Sequence, residues 1–351
     1  MRILFNLTKK ELEEFVISIG EEKFRANQIY NWLNIGAHKF DYMKNLPINL
    51  INKLKTNSKP FPINIVKELN SSDLQTTKFL LELEKDKQKI ESVLMRTSYG
   101  NSVCVSSQVG CAMGCKFCAS TLLGLKRNLS INEMFTQVLV AGWKLHDNKL
   151  KTFNGDINNN DITHVVVMGT GEPLENIDNL IGFIEKLHID MNIGWRKITV
   201  STCGIIEGIK KLTDWGRPIN LAISLHAPND EIRNKIMPIN FKYKINEVLD
   251  SAFEFVKKNN RQLMIEYILL DGINNSESNA LELVGLLKNK NCMVNLIPWN
   301  KVPERNFKEP SGNSIHRFQD VLIKNGLHVR IRKERGSDIK SACGQLRIEN
   351  S

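Results

Sequence analysis

Apolar residues recur along this chain with two different periods, and the change from one to the other falls near residue 60. Leu12, Phe15, Val16 and Ile19 repeat at helical spacing behind Thr8 and Glu11, a capping-box pair, and Gly20 closes the run, which predicts a helix over 8–19. A second helix fits 24–33 and a short third one 50–54, after which Lys59-Pro60-Phe61-Pro62 stiffens the backbone. From Ile63 the apolar positions alternate: Ile63 and Ile65, then Thr77, Phe79, Leu81 and Leu83, then Ile90, Val93 and Met95. This is the pattern of short antiparallel strands, and it leads into a core strand at 102–106. Beyond a helical pattern that begins near Ile131, strands at 163–168, 197–201, 220–224, 263–269, 293–297 and 329–331 alternate with helices at 177–187, 205–212, 245–258, 280–287 and 314–325.

Alternation of this kind specifies parallel strands joined by crossover helices, with an active site at the carboxyl ends of the strands. The expected fold class is therefore α/β, an incomplete parallel (β/α)6-type barrel rather than a closed eightfold one, with a small helical N-terminal domain. The expected organisation is residues 1–60 as a helical accessory domain, 61–102 as a strand-rich extension, and 103–351 as the barrel with its C-terminal segment. The Asn-rich insert 154–161 reads as a solvated loop.

Composition narrows the class. With 42% hydrophobic and 25% charged residues, and no apolar run approaching eighteen, the chain reads as a soluble globular protein without a membrane span. The formal net charge of +10 is the footprint of a polyanionic partner, with nucleic acid the expected one. Seven cysteines, an odd number, and no secretory segment point to a reducing cytosol rather than a disulfide framework.

Three of those cysteines stand together. Cys111, Cys115 and Cys118 form a CxxxCxxC with Gly110, Gly114 and Lys116 around it, so three thiolates can turn inward from one tight loop onto a metal centre. Structural zinc would want a fourth ligand, usually from a second pair, and none follows at zinc-finger spacing. Further on, Met168-Gly169-Thr170-Gly171-Glu172-Pro173-Leu174 follows a Val-rich strand, where the glycines let the backbone approach a ligand and Glu172 offers a carboxylate. Ser201, Ser224-Leu225-His226 and Asn300 fall at or just beyond the ends of other strands, each a strand cap or a ligand. On their own, Cys104 reads as a buried small hydrophobe, Cys343 as a loop thiol and Glu91 as a strand-edge charge. Lys116, Lys126 and Arg127 flank the cysteine loop, and Arg330, Arg332, Lys333 and Arg335 lead toward Cys343, as phosphate contacts or as solvated charges.

The CxxxCxxC, one strand ahead of the glycine-rich turn, resembles the radical-SAM superfamily. There, three thiolates hold a four-iron cluster whose open iron chelates S-adenosylmethionine. Four longer strings, Cys104 to Cys111, Ser224 to Glu231, Asn295 to Asn300 and Ala342 to Leu346, are similar to those of the bacterial radical-SAM RNA adenine C2-methyltransferases of the RlmN type. The likeness spans almost the whole chain and is loosest before Glu91. It implies one [4Fe-4S] cluster on Cys111, Cys115 and Cys118. It also implies S-adenosylmethionine, two per turnover, held by Gly171, Glu172, Ser201, Ser224, Leu225, His226 and Asn300.

The resemblance further implies a ping-pong reaction. Cys343 takes a methyl group from one cofactor, and a 5′-deoxyadenosyl radical from the second removes hydrogen from that methyl. The resulting carbon radical adds to adenine C2, Glu91 removes the C2 proton, and Cys104 attacks the Cys343 sulfur to free the product as a transient disulfide forms. The implied substrates are an adenine of 23S rRNA at the peptidyl-transferase centre and the adenine beside the tRNA anticodon, each flipped from its stack. The implied setting is a cytoplasmic monomer fed by a reductant such as flavodoxin. A sister family methylates C8 of the same rRNA adenine, and Glu172-Pro173-Leu174 with Pro298-Trp299-Asn300 favours the C2 branch. An RNA-binding protein with a purely structural cluster or zinc is the alternative outside catalysis.

Overall fold

The computed structural model describes residues 1–146, 162–332, 336–339, 341 and 344–346. The insert expected at 154–161, together with Lys333, Arg335 and Cys343, lies outside the described residues.

Three helices, α1 (Lys9–Ser18), α2 (Arg25–Asn34) and α3 (Ile48–Asn57), build the N-terminal region. The expected capping box is present on α1: the Thr8 hydroxyl accepts from the Glu11 N–H at 3.3 Å, and the Glu11 carboxylate accepts from the Thr8 N–H at 2.7 Å. Leu12, Phe15 and Val16 of α1 bury against a core shared with Ile29 and Leu33 of α2 and Leu50 and Leu54 of α3. That core is continuous with the rest of the molecule. Phe5 packs on Phe61 at 4.6 Å and on Phe135 at 6.0 Å, while Phe61 meets Trp143 edge-on at 5.4 Å. Fully burying a side chain of this size stabilises by roughly 1.5–3 kcal/mol.

Among the described residues ten strands form one sheet. The first four, β1 (Ile63–Asn70), β2 (Thr76–Leu83), β3 (Lys89–Thr97) and β4 (Gly100–Cys104), pair antiparallel in sequence order. From β4 onward every pairing is parallel, through β5 (Ile162–Val167), β6 (Ile198–Thr202), β7 (Asn220–Ser224), β8 (Leu263–Leu269), β9 (Cys292–Pro298) and β10 (His328–Ile331). The crossovers are α4 (Ile131–Leu145), α5 (Ile177–Met191), α6 (Ile206–Trp215), then a short α7 (Asp230–Ile236) ahead of α8 (Ile245–Lys258), and finally α9 (Glu277–Leu287) and α10 (Gly312–Lys324). Since β10 and β1 end the sheet on either side, the barrel is open, as the run of repeating units implied.

The inner parallel strands, such as Leu263–Leu269, are largely apolar because both faces are covered, whereas the edge strand β10 is partly exposed. Toward the helices lies the main core. On the inner side, at the carboxyl ends of the strands, a second apolar cluster joins Cys115, Phe117, Cys203, Met237, Ile268, Ile297 and Trp299. This inner cluster floors the cavity described next. Among the described residues no helix is long and apolar enough to cross a membrane.

Candidate active site

Cys111 follows a two-residue strand, Gln108–Val109, that pairs with Arg127–Asn128 and closes the cysteine loop at its base. Gly110 makes the closure possible. Its φ is +75°, and a Cβ there would stand 1.8 Å from the Gly124 carbonyl oxygen, the acceptor of the Cys111 N–H at 3.2 Å. Distant parts of the chain brace the loop: Lys116 N–H donates to Ile236, Ala119 N–H to Gly344, and the Trp299 indole to the Phe117 carbonyl. The Arg305 guanidinium donates to the Cys118 carbonyl at 3.0 Å and to Thr121 Oγ1 at 2.7 Å.

Cys111 and Cys115 are buried and Cys118 is half-buried. Burial pushes the Cys111 thiol up to about 12, against the pull of the Met113 N–H, and nearness to Cys118 raises it further. Burial likewise pushes Cys115 up, with Cys118 and Cys111 adding to the rise. These thiols are therefore protonated at neutral pH unless a cationic centre takes the place of their protons.

The three cysteines line a cavity together with Gly171, Glu172, Ser201, Ser224 and His226 from the strand ends. Gly171 sits at φ +110°, and a Cβ on it would meet Gln108 Cβ at 2.6 Å, so the turn packs backbone directly against the base of the cysteine loop. Glu172 is buried, and its carboxylate accepts from the Leu174 N–H at 3.0 Å and the Cys203 N–H at 2.8 Å. Burial raises its pKa against the lowering effect of those bonds. Ser201 and Ser224 bring their hydroxyl oxygens within 3.3 Å.

His226 has a left-handed backbone, φ +59°, and its Nδ1 lies 3.0 Å from the Ile268 N–H. A backbone N–H can only donate, so Nδ1 is the bare nitrogen and the proton sits on Nε2. Burial, helped by the nearby Arg233 charge, pulls this ring's pKa down to about 3.

Two expected cofactor contacts stand apart from this lining. Leu225 is buried in the wall, donating through its N–H to the Glu266 carbonyl and accepting from Arg233 Nε through its own carbonyl. Asn300, two residues past β9, is half-buried and outside the cavity lining. Glu91, on β3, is buried with Lys78 of β2 at 3.0 Å, and lines a second cavity with Gly110, Leu122, Lys126 and Thr170. Ser120 of the cysteine loop borders both cavities. Cys104, half-buried at the end of β4, lines neither, and sits in register between Val93 of β3 and Val166 of β5. Gly344, which follows Cys343 in the chain, lines the first cavity.

Residues 3–59 match the model of the ribosomal RNA large subunit methyltransferase N-terminal domain, and residues 105–284 that of the radical SAM superfamily. The chain is 47% identical to the probable dual-specificity RNA methyltransferase RlmN of Alkaliphilus oremlandii (strain OhILAs), over 98% of this chain and 97% of that one. To the protein of the same name from Clostridium novyi (strain NT) it is 45% identical, over 99% and 98%. A crystal structure of a radical SAM methyltransferase from Sphaerobacter thermophilus superposes with a TM-score of 0.87 at 40% identity, covering 99% of both chains. The chain belongs to the RlmN family of radical SAM RNA methyltransferases.

Membership in the RlmN family implies S-adenosylmethionine and a [4Fe-4S] cluster. The cysteine loop fits that group. Among the described residues, no set of three His, Cys, Asp or Glu side chains is placed to hold a single metal ion. A cluster is a wider object, and each cysteine binds a different iron, so two buried thiols and a half-buried one on a braced loop suit it without converging on one point.

Several residues of this wall escaped the sequence reading. Cys203 lines the cavity beside the cluster loop. Arg332, read as a phosphate contact or a solvated charge, lines it too, 3.6 Å from the buried Glu266. Arg127 is no free cation either: its guanidinium is gripped by Asp86 at 2.6 and 3.1 Å and by Glu133 at 2.9 Å twice, clamping the loop to the β2–β3 turn and to α4. Arg233 of α7 is wholly buried and donates to five acceptors around the cavity. A signal for α7 existed, since Asn229 caps the Ile232 N–H and Asp230 and Glu231 fill the first turn.

Proposed function

We propose that this protein methylates C2 of an adenine in 23S rRNA at the peptidyl-transferase centre, and of the adenine beside the tRNA anticodon, through an S-methylcysteine at Cys343. The observation that carries the reading is the sharing of one loop by two cavities: the cysteines line one, Glu91 lines the other, and Ser120 borders both. A target base entering beside Glu91 then has the cysteine loop and the glycine-rich turn between it and the cofactor side.

Cys111, Cys115 and Cys118 hold the cluster, and Gly171, Glu172, Ser201, Ser224 and His226 surround S-adenosylmethionine, with Leu225 in the wall behind them and Asn300 beyond the lining. When bound, cluster and cofactor supply the methyl group and the one-electron chemistry that an unreactive C2 carbon requires. Glu91 takes the C2 proton, and Lys78 at 3.0 Å orients that buried carboxylate for the task. Cys104 releases the product by attacking the Cys343 sulfur. In this reading the enzyme works as a cytosolic monomer, with a protein reductant such as flavodoxin. The +10 charge draws in the RNA, and Lys126, which lines the Glu91 cavity, is the phosphate contact this reading favours there.

The test is mass spectrometry of nucleosides from an rRNA fragment incubated with anaerobically cluster-loaded protein, S-adenosylmethionine and a reductant. The expected product is 2-methyladenosine. Recovery of 8-methyladenosine would move the site of attack, and absence of any methylated adenosine from a verified loaded sample would overturn the reading. In the same assay Cys104→Ala should leave protein covalently joined to RNA, and free methylated product from it would remove Cys104 from its role.

A further inference from the structure

We propose that Glu266 receives the sugar hydroxyls of the nucleoside cofactor, a contact that rests on the placement of S-adenosylmethionine in the first cavity. Glu266 is the middle of a polar shelf crossing the barrel floor. On β8 it stands in register between Ser224 of β7 and Asn295 of β9, and Ser224 in turn reaches Ser201 of β6. The surroundings, with Met237, Ile268 and Ile297, are apolar.

Only 3% of Glu266 is exposed. Its Oε1 accepts from the Asn295 amide at 2.8 Å. Its Oε2 has no hydrogen-bond partner among the described residues, and the Arg332 guanidinium stands off at 3.6 Å. A carboxylate oxygen buried without a donor is costly, so such a group persists where something else supplies the donor. Burial raises the Glu266 pKa, against the Arg332 charge and the Asn295 amide. In its ionised form the carboxylate only accepts, so the partner that holds it in that form is a donor, and a ribose diol offers two such O–H groups side by side. The adenine amino group is the rival donor on the same cofactor. Glu172 is not an equivalent candidate, because both its oxygens are met by backbone N–H groups.

The experiment is equilibrium binding, on cluster-loaded protein, of S-adenosylmethionine and its 2′-deoxy, 3′-deoxy and N6,N6-dimethyl analogues. Wild type should lose about 10- to 100-fold in affinity for at least one deoxy analogue, the worth of a charge-assisted hydrogen bond. Glu266→Gln, with thermal melting to check its fold, should bind S-adenosylmethionine weakly and no longer distinguish the deoxy forms. Equal wild-type affinity for the parent and both deoxy analogues would overturn the proposal whether or not the variant folds. So would a loss confined to the dimethyl analogue, or a Glu266→Gln protein that keeps the wild-type preference. If loaded wild type binds no S-adenosylmethionine at all, the underlying placement of the cofactor fails first, and this contact with it.

Discussion

Replacing Arg233 with methionine tests whether the cavity wall depends on one buried cation. The side chain is 0% exposed and has no acidic partner within salt-bridge distance among the described residues; it donates to the carbonyls of Cys203 at 2.6 Å, Leu225 at 3.1 Å, Tyr243 at 3.3 Å and Ser224 at 3.3 Å, and to Asn240 Oδ1 at 2.9 Å. It thereby ties the ends of β6 and β7 to α7 and to the segment ahead of α8. The two contacts at 3.3 Å are weak. The three shorter ones decide the magnitude, at about 1–2 kcal/mol each for a charged donor whose loss strands a buried acceptor. Methionine restores the apolar stem, so a net loss of about 3–5 kcal/mol is expected. Spread over 351 residues, at about 2.1 cal/mol/K of unfolding entropy per residue, this lowers Tm by about 4–7 °C. Arg233→Lys should recover only part, since a single ammonium cannot reach acceptors arranged around a planar fork. The assay is thermal unfolding followed by circular dichroism. A fall below about 1 °C for the methionine variant would refute the reasoning and mean that the stranded carbonyls find other donors.

Two further outcomes follow from charges whose settings the structure defines. His226 titrates near 3 when folded and near 6.5 when unfolded, so on acidification the unfolded chain takes up a proton that the folded one refuses. Stability should therefore be full above about pH 7 and fall by about 1.4 kcal/mol per pH unit from 6.5 toward 3 for this residue alone. His38, pulled down to about 4 mainly by burial, adds to the upper part of that window. His226→Asn, which tolerates the left-handed backbone, should remove one proton's worth of slope from urea unfolding measured between pH 6 and 4, and an unchanged slope would disprove the assignment. Arg127→Ala should speed hydrogen exchange in the β2–β3 turn while leaving the salt dependence of RNA binding as in wild type. A shallower salt slope would instead make it a phosphate ligand.

Much of this architecture is local in origin, which is why it could be read from the chain. The bounds of α8 and β8 follow from uninterrupted period, and α1 from a capping box three residues wide. The cysteine loop and the glycine-rich turn are legible for the same reason: their chemistry depends on spacing within a few residues. Where an element was short, as with the seven residues of α7, periodicity had too few repeats to register. Charged residues were the least legible of all. Glu266 sits in an apolar strand like a stray charge, and its amide partner is 29 positions away on the next parallel strand. Arg127 reads as one more basic residue beside the loop until Asp86, 41 positions back, is folded onto it. Spacing along the backbone set the strands, the helices and the cysteine loop, because those are decided by neighbours a few bonds away. Whether a buried charge is a brace, a clamp or a ligand was decided only by the tertiary structure, because its energy depends on which distant group the crossovers bring within about 3 Å.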